Sequence, residues 1–155
     1  MDTIKNDLKS IVAKAIDTFN SHEQYLIENN LSERCICSCF MLHLINALKE
    51  SEYNDYVVDV EYNRGANGTE RAIKRIDDSP ITVDLIVHKR GYRCEYGFDN
   101  LICIEMKKSN DRRGFDGDKE RLSKMTGLDY GFCYKTGFLI VIDMKTCCLT
   151  INTQY

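Results

Sequence analysis

The chain predicts a mixed α/β domain, and three observations carry that prediction. Two N-terminal segments, Ile4 to Phe19 and Cys37 to Leu48, place apolar residues at helical spacing. Five apolar or alternating runs of strand length follow: YVVDVEY, TVDLIVH, NLICIEMK, GFLIVID and TCCLTINT. A third helical segment, DKERLSKMT, separates the first three runs from the last two. The core order is α-β-β-β-α-β, a mixed sheet flanked by helices, with an extra N-terminal helix and a C-terminal strand.

A length of 155 residues suits one domain, with 1–31 as an N-terminal helical extension and 32–155 as the core. The composition, 43% hydrophobic and 29% charged, is that of an ordinary globular chain. A net charge of −3 argues against coating nucleic acid by bulk electrostatics but leaves room for a local basic groove. Such excess exists: residues 71–93 hold six Lys/Arg against three Asp, and residues 105–124 hold seven against five acids. The N-terminus has no apolar signal core and no run reaches membrane-spanning length, so a cytoplasmic protein is expected. Its eight cysteines then stay reduced and serve as small apolar residues.

In the first helix, Ile4, Leu8, Ile11, Val12, Ala15, Ile16 and Phe19 form the inward stripe. His22 reads as solvated, and Asn29-Asn30 marks a break. Ser32 is the expected N-cap of the second helix, whose stripe is Cys37, Met41, Leu44, Ile45 and Leu48. His43 reads as surface or half-buried. The run Cys35-Ile-Cys-Ser-Cys39 has C-x-C-x-C spacing rather than paired C-x-x-C, which favours helix packing over a zinc site. In YVVDVEY, Val58, Val60 and Tyr62 share one face, with Val57, Asp59 and Glu61 on the other. Residues 63–80 read as a loop with a short helical turn at 70–76. Its Arg64, Arg71, Lys74 and Arg75 are candidate phosphate contacts. Leu122 and Met125 face inward from the third helix, which stops at Gly127. GFLIVID is nearly continuously apolar, as interior strands are, and Cys147 and Cys148 in the last strand point to opposite faces.

TVDLIVH and NLICIEMK each contain an acid inside an apolar run, Asp84 and Glu105. An antiparallel hairpin closing near Glu95 sets those two residues opposite each other. Lys107 projects from the same strand face as Glu105. Two adjacent carboxylates stay ionised cheaply only around a cation. Oxygen donors with open positions suit Mg²⁺ or Mn²⁺, and the carbonyl of Met106 is a further potential ligand. With a lysine beside them, the reaction class that fits is phosphodiester hydrolysis.

The stretches D-L-I-V-H-K-R-G and N-L-I-C-I-E-M-K-K, preceded by an S-E-R helix start and V-D-V-E-Y-N-R, resemble the core of the PD-(D/E)XK nuclease superfamily. The proline stands at 80 rather than beside the aspartate. The resemblance spans about Ser32 to Asp143 and implies the restriction-endonuclease-like fold. It also implies Asp84 and Glu105 as metal ligands, Lys107 as the catalytic lysine, and Glu33 as an additional acid from the first core helix. Glu33 read alone only complements that helix's dipole. Lys119 or Arg121 would face the site from the helix after the catalytic strand.

The expectation is a Mg²⁺- or Mn²⁺-dependent nuclease acting on DNA in preference to RNA. Basic loops at 63–75 and 108–124, with Arg64, Lys108, Lys119 and Arg121, would grip phosphates. Specificity would come from a homodimer or a partner protein. The alternative is a non-catalytic nucleic-acid-binding or partner-binding subunit that retains the fold.

Overall fold

Two neighbours of unequal reach decide where the site forms. The computed structural model describes residues 2–64, 73–91 and 99–155. Its helices are α1 (Asp2–His22), α2 (Gln24–Glu28), α3 (Glu33–Lys49) and α4 (Asp116–Thr126). Its strands are β1 (Val57–Val60), β2 (Arg75–Ile76), β3 (Ser79–Pro80), β4 (Leu85–His88), β5 (Asn100–Lys108), β6 (Thr136–Asp143) and β7 (Cys148–Gln154). A five-stranded sheet runs β1-β4-β5-β6-β7. Its pairs are antiparallel except β5 with β6, which α4 connects as a parallel crossover. Sheet and helices thus form a mixed α/β architecture in the expected order.

Alternation in β5 divides the core in two. Ile102, Ile104 and Met106 join Leu85, Val87, Phe138, Ile140 and Ile142 beneath α1 and α3. Cys103 joins Ile86 and Leu139 on the other face, covered by Leu122 and Met125 of α4. Close approach of α4 depends on Gly137: a Cβ there would lie 3.2 Å from both Cys103 Sγ and Thr126 Cγ2. The glycine therefore lets α4 settle low enough to reach the polar end of β5.

The local differences from expectation have physical causes. A short α2 occupies the polar stretch after α1, anchored by buried Ile27. Tyr62 packs under α4 rather than with Val58 and Val60, because Glu61 adopts φ 49° and ends the alternation. Residues 73–76 are not helical. Asp77 and Asp78, at φ 47° and 62°, turn β2 into β3 as a hairpin, a conformation aspartate tolerates better than most residues. Residues 70–72, Arg71 among them, and the hairpin closure near Glu95 lie outside the described residues. Cys147, at φ 54°, belongs to the turn before β7, so the two vicinal cysteines are not alternating strand residues. Among the described residues no helix is long and apolar enough to cross a membrane.

Ser32 caps α3 as expected, its hydroxyl accepting from the Cys35 amide at 3.2 Å. Ser32→Ala is expected to cost about 1 kcal/mol in a urea melt, the usual loss for such a cap. An unchanged midpoint would show that the cap is not holding the helix start that carries Glu33.

Candidate active site at the open end of β5

β5 outruns β4. The register pairs Leu85, the first residue of β4, with Ile104, and Asp84 continues it one step to stand opposite Glu105. Beyond that point, among the described residues, no strand receives the β5 backbone on this side. Two carboxylates take its place: Asp84 Oδ2 accepts the Met106 amide at 2.7 Å, and Glu33 Oε2 accepts the Lys108 amide at 2.9 Å. The Asp84 carbonyl is itself held by the Glu61 amide at 3.1 Å. A strand residue presents its amide and carbonyl to the same side, so the Met106 carbonyl lies on this edge too.

The structure therefore brings Asp84, Glu105, Met106 and Glu33 to one strand end. Glu105 is only 4% exposed. Burial and the neighbouring Asp84 charge push its carboxyl up to about 8, against the opposing pull of Arg121. Asp84 is also raised, by burial first and then by the charges of Glu33 and Asp118, while its bonds to the Met106 amide and the Glu105 carboxyl pull the other way. The pair therefore resists carrying two negative charges at once. A cation would relieve the same repulsion.

The cationic side of the site comes from β5 and α4. Arg121 Nε donates to Glu105 Oε1, and its Nη2 donates to Asp118 Oδ1 at 2.7 Å. Lys107 Nζ donates to Asp118 Oδ2 at 2.9 Å and lies 4.0 Å from Asp111 Oδ2. Asp111 is held well below the usual carboxylate range by Arg113. The question of which α4 residue points inward is answered by Arg121; among the described residues no site group bonds Lys119. Asp118, 8% exposed, is the member that sequence reading missed. The signal was available: Asp118 is three residues before Arg121, so one helix face presents both.

Four expected phosphate contacts are placed elsewhere. Lys108 projects to the opposite sheet face from Lys107 and bonds Asn30 Oδ1 at 2.8 Å. Arg64 is exposed, bridges Ile73 through the backbone and bonds Asn63 Oδ1 at 2.7 Å. Lys74 is 3% exposed and donates to Tyr134 Oη at 2.7 Å, its ammonium lying over the Tyr62 and Tyr134 rings. Arg75 is exposed and bonds the Asp78 carbonyl. A separate network joins His88 Nε2 and Arg90 Nε to Asp59 Oδ2 at 2.8 and 2.7 Å. His43, as expected, is half-buried, against Glu23 at 3.2 Å.

Two carboxylates and a backbone carbonyl are hard oxygen donors of the kind Mg²⁺ and Mn²⁺ take, with positions left for water or phosphate. Among the described residues no three His, Cys, Asp or Glu side chains form a metal-holding group by themselves. Any cation entering here would meet the Arg121 guanidinium already on Glu105. No protein-family model matches the chain, and neither a curated protein nor a solved structure does.

Proposed function

We propose that the chain is a metal-dependent nuclease that hydrolyses phosphodiester bonds, with DNA as its substrate. Asp84, Glu105 and the Met106 carbonyl would hold Mg²⁺ or Mn²⁺. The observation that carries the reading is the Asp84–Glu105 pair near the open end of β5, a half-buried and a buried acid set face to face by register. A purely structural ion pair does not require that arrangement: two facing acids cost stability when both ionise, a cost that a bound cation would relieve.

Bound there, the cation would polarise a phosphoryl oxygen and make water acidic enough to attack at neutral pH. The chain's own groups supply the rest. Lys107, fixed by Asp118 on the Glu105 face, is placed to orient the attacking water and to donate to the phosphoryl oxygen as its charge grows. Glu33 and Asp84 hold the β5 edge open by satisfying its amides without a strand. Among the described residues Arg121 is the candidate phosphate-binding cation that bonds Glu105, which supports a role for it here.

Supercoiled plasmid and short duplexes, incubated with Mg²⁺, Mn²⁺ or EDTA, test the proposal. Wild type should nick or cut with either cation and not with EDTA, and Asp84→Ala should fall to background. Equal background in both proteins sinks the reading, and cleavage of RNA alone corrects the substrate.

One observation favours a second reading, a non-catalytic binding subunit. Lys107, Arg121, Asp118 and Glu105 already form a continuous ion-pair network. Under that reading wild type binds nucleic acid or a partner without cleaving anything, and Asp84→Ala binds equally well.

A further inference from the structure

The metal reading leaves a conflict at Glu105. The carboxylate it assigns to a cation already carries the Arg121 guanidinium. Asp118 lies within the same fork, 2.7 Å from Arg121 Nη2, and is anchored from the other side by Lys107 at 2.9 Å. Glu105 sits on a sheet strand, where its side chain is 5% exposed, and has little freedom to move. Arg121 is the partner with room to move: its side chain is 33% exposed and reaches in from α4 on a long flexible stem. If its bond to Glu105 breaks, the guanidinium keeps its bond to Asp118 and stays at the mouth of the site.

We propose that Arg121 is a built-in counter-cation that occupies Glu105 until a divalent cation displaces it, and that Asp118 retains the released guanidinium beside the site. This rests on the metal reading above and adds the order of events. Without a cation, Arg121 limits the cost of a buried carboxylate, which alone would be severe. When a cation enters, the positive charge on Glu105 is exchanged rather than added. The released fork then faces the side from which a phosphate would approach, a geometry guanidinium matches bidentately.

Titration calorimetry with Mg²⁺, all variants at one fixed pH, tests the exchange directly. Arg121→Gln should bind Mg²⁺ about tenfold tighter than wild type, because the competitor is gone. Asp118→Asn should bind more weakly, because the released guanidinium has lost its berth. A lost negative charge would weaken binding as well, so the double variant decides. In Arg121→Gln/Asp118→Asn the Asp118 effect should disappear if it acts through Arg121, and persist if it acts on the cation. Arg121→Lys, which keeps the charge without the fork, should fall between wild type and Arg121→Gln, and guards against a misfolded variant.

Equal or weaker binding by Arg121→Gln beside measurable wild-type binding overturns the exchange and leaves the metal reading standing. An absence of Mg²⁺ binding in wild type and Arg121→Gln alike overturns both.

Discussion

Glu105→Gln is expected to remove most of a downward slope in folding stability that wild type shows between about pH 4.5 and pH 8. The carboxyl rises from its ordinary 4.5 to about 8 in the fold. Between those values the folded chain keeps a proton that the unfolded chain has released. Stability therefore falls as pH rises, because the unfolded state binds fewer protons. The full stabilisation is present below the unfolded value and is gone above the folded one. The loss is on the order of 3–5 kcal/mol, with the pull of Arg121 on the ionised form already contained in the shift. Asp84, raised by burial, adds in the same direction.

Other groups act differently, which is why the comparison with the Gln variant matters. His88 is lowered by burial, so its neutral form is favoured and it makes stability rise with pH in the lower part of the window. Lys74 is lowered to about 8 by burial and makes stability rise above that value. Asp59, lowered chiefly by Arg90, acts below the window. Subtracting the Gln curve from the wild-type curve isolates Glu105. Urea melts across the range provide both, and Mg²⁺ should restore wild-type stability at about pH 9 by replacing the proton. Parallel curves for the two proteins would show that Glu105 titrates normally and that the pair is not a strained site.

Much of this site was legible because β-register is arithmetic. Once TVDLIVH and NLICIEMK are strands of a hairpin, Asp84 must stand near Glu105, and Lys107 must share the Glu105 face. The Ser32 cap was equally legible, since its hydroxyl acts within three residues. The strand fates of Arg75, Ile76, Ser79 and Pro80 were not. They depend on two consecutive aspartates adopting positive φ, which composition permits without requiring. The burial of Lys74 was hidden for another reason: its partner Tyr134 is sixty residues away, and only the finished fold joins them. Lys108 was read as the start of a basic loop, whereas it ends β5 and faces away from Lys107, toward Asn30. Asp118 was missed because helical periodicity marked only Leu122 and Met125 as inward, and its bonds to Lys107 and Arg121 depend on how α4 sits against β5.

Lys107→Met should then separate catalysis from scaffolding. On the proposed reading it lowers the rate of phosphodiester cleavage by roughly 10²–10⁴-fold, the range for a positioned group acting on developing charge or a transferring proton. Its KM should change by less than about tenfold, because an interaction made in the transition state moves kcat, whereas a phosphate grip moves KM. Methionine preserves length and packing against β5, and Arg121 still occupies Asp118, so the site should not collapse. Lys107→Arg is expected to recover little: the planar fork cannot reproduce a compact ammonium held between Asp118 and Asp111. A loss confined to KM would make Lys107 a substrate contact. An unchanged rate would place whatever cleavage is seen outside this site. Absence of cleavage in wild type and variant, with nucleic acid still bound, would move the protein to the binding-subunit reading, in which Lys107 and Asp118 are only an ion pair that ties α4 to β5.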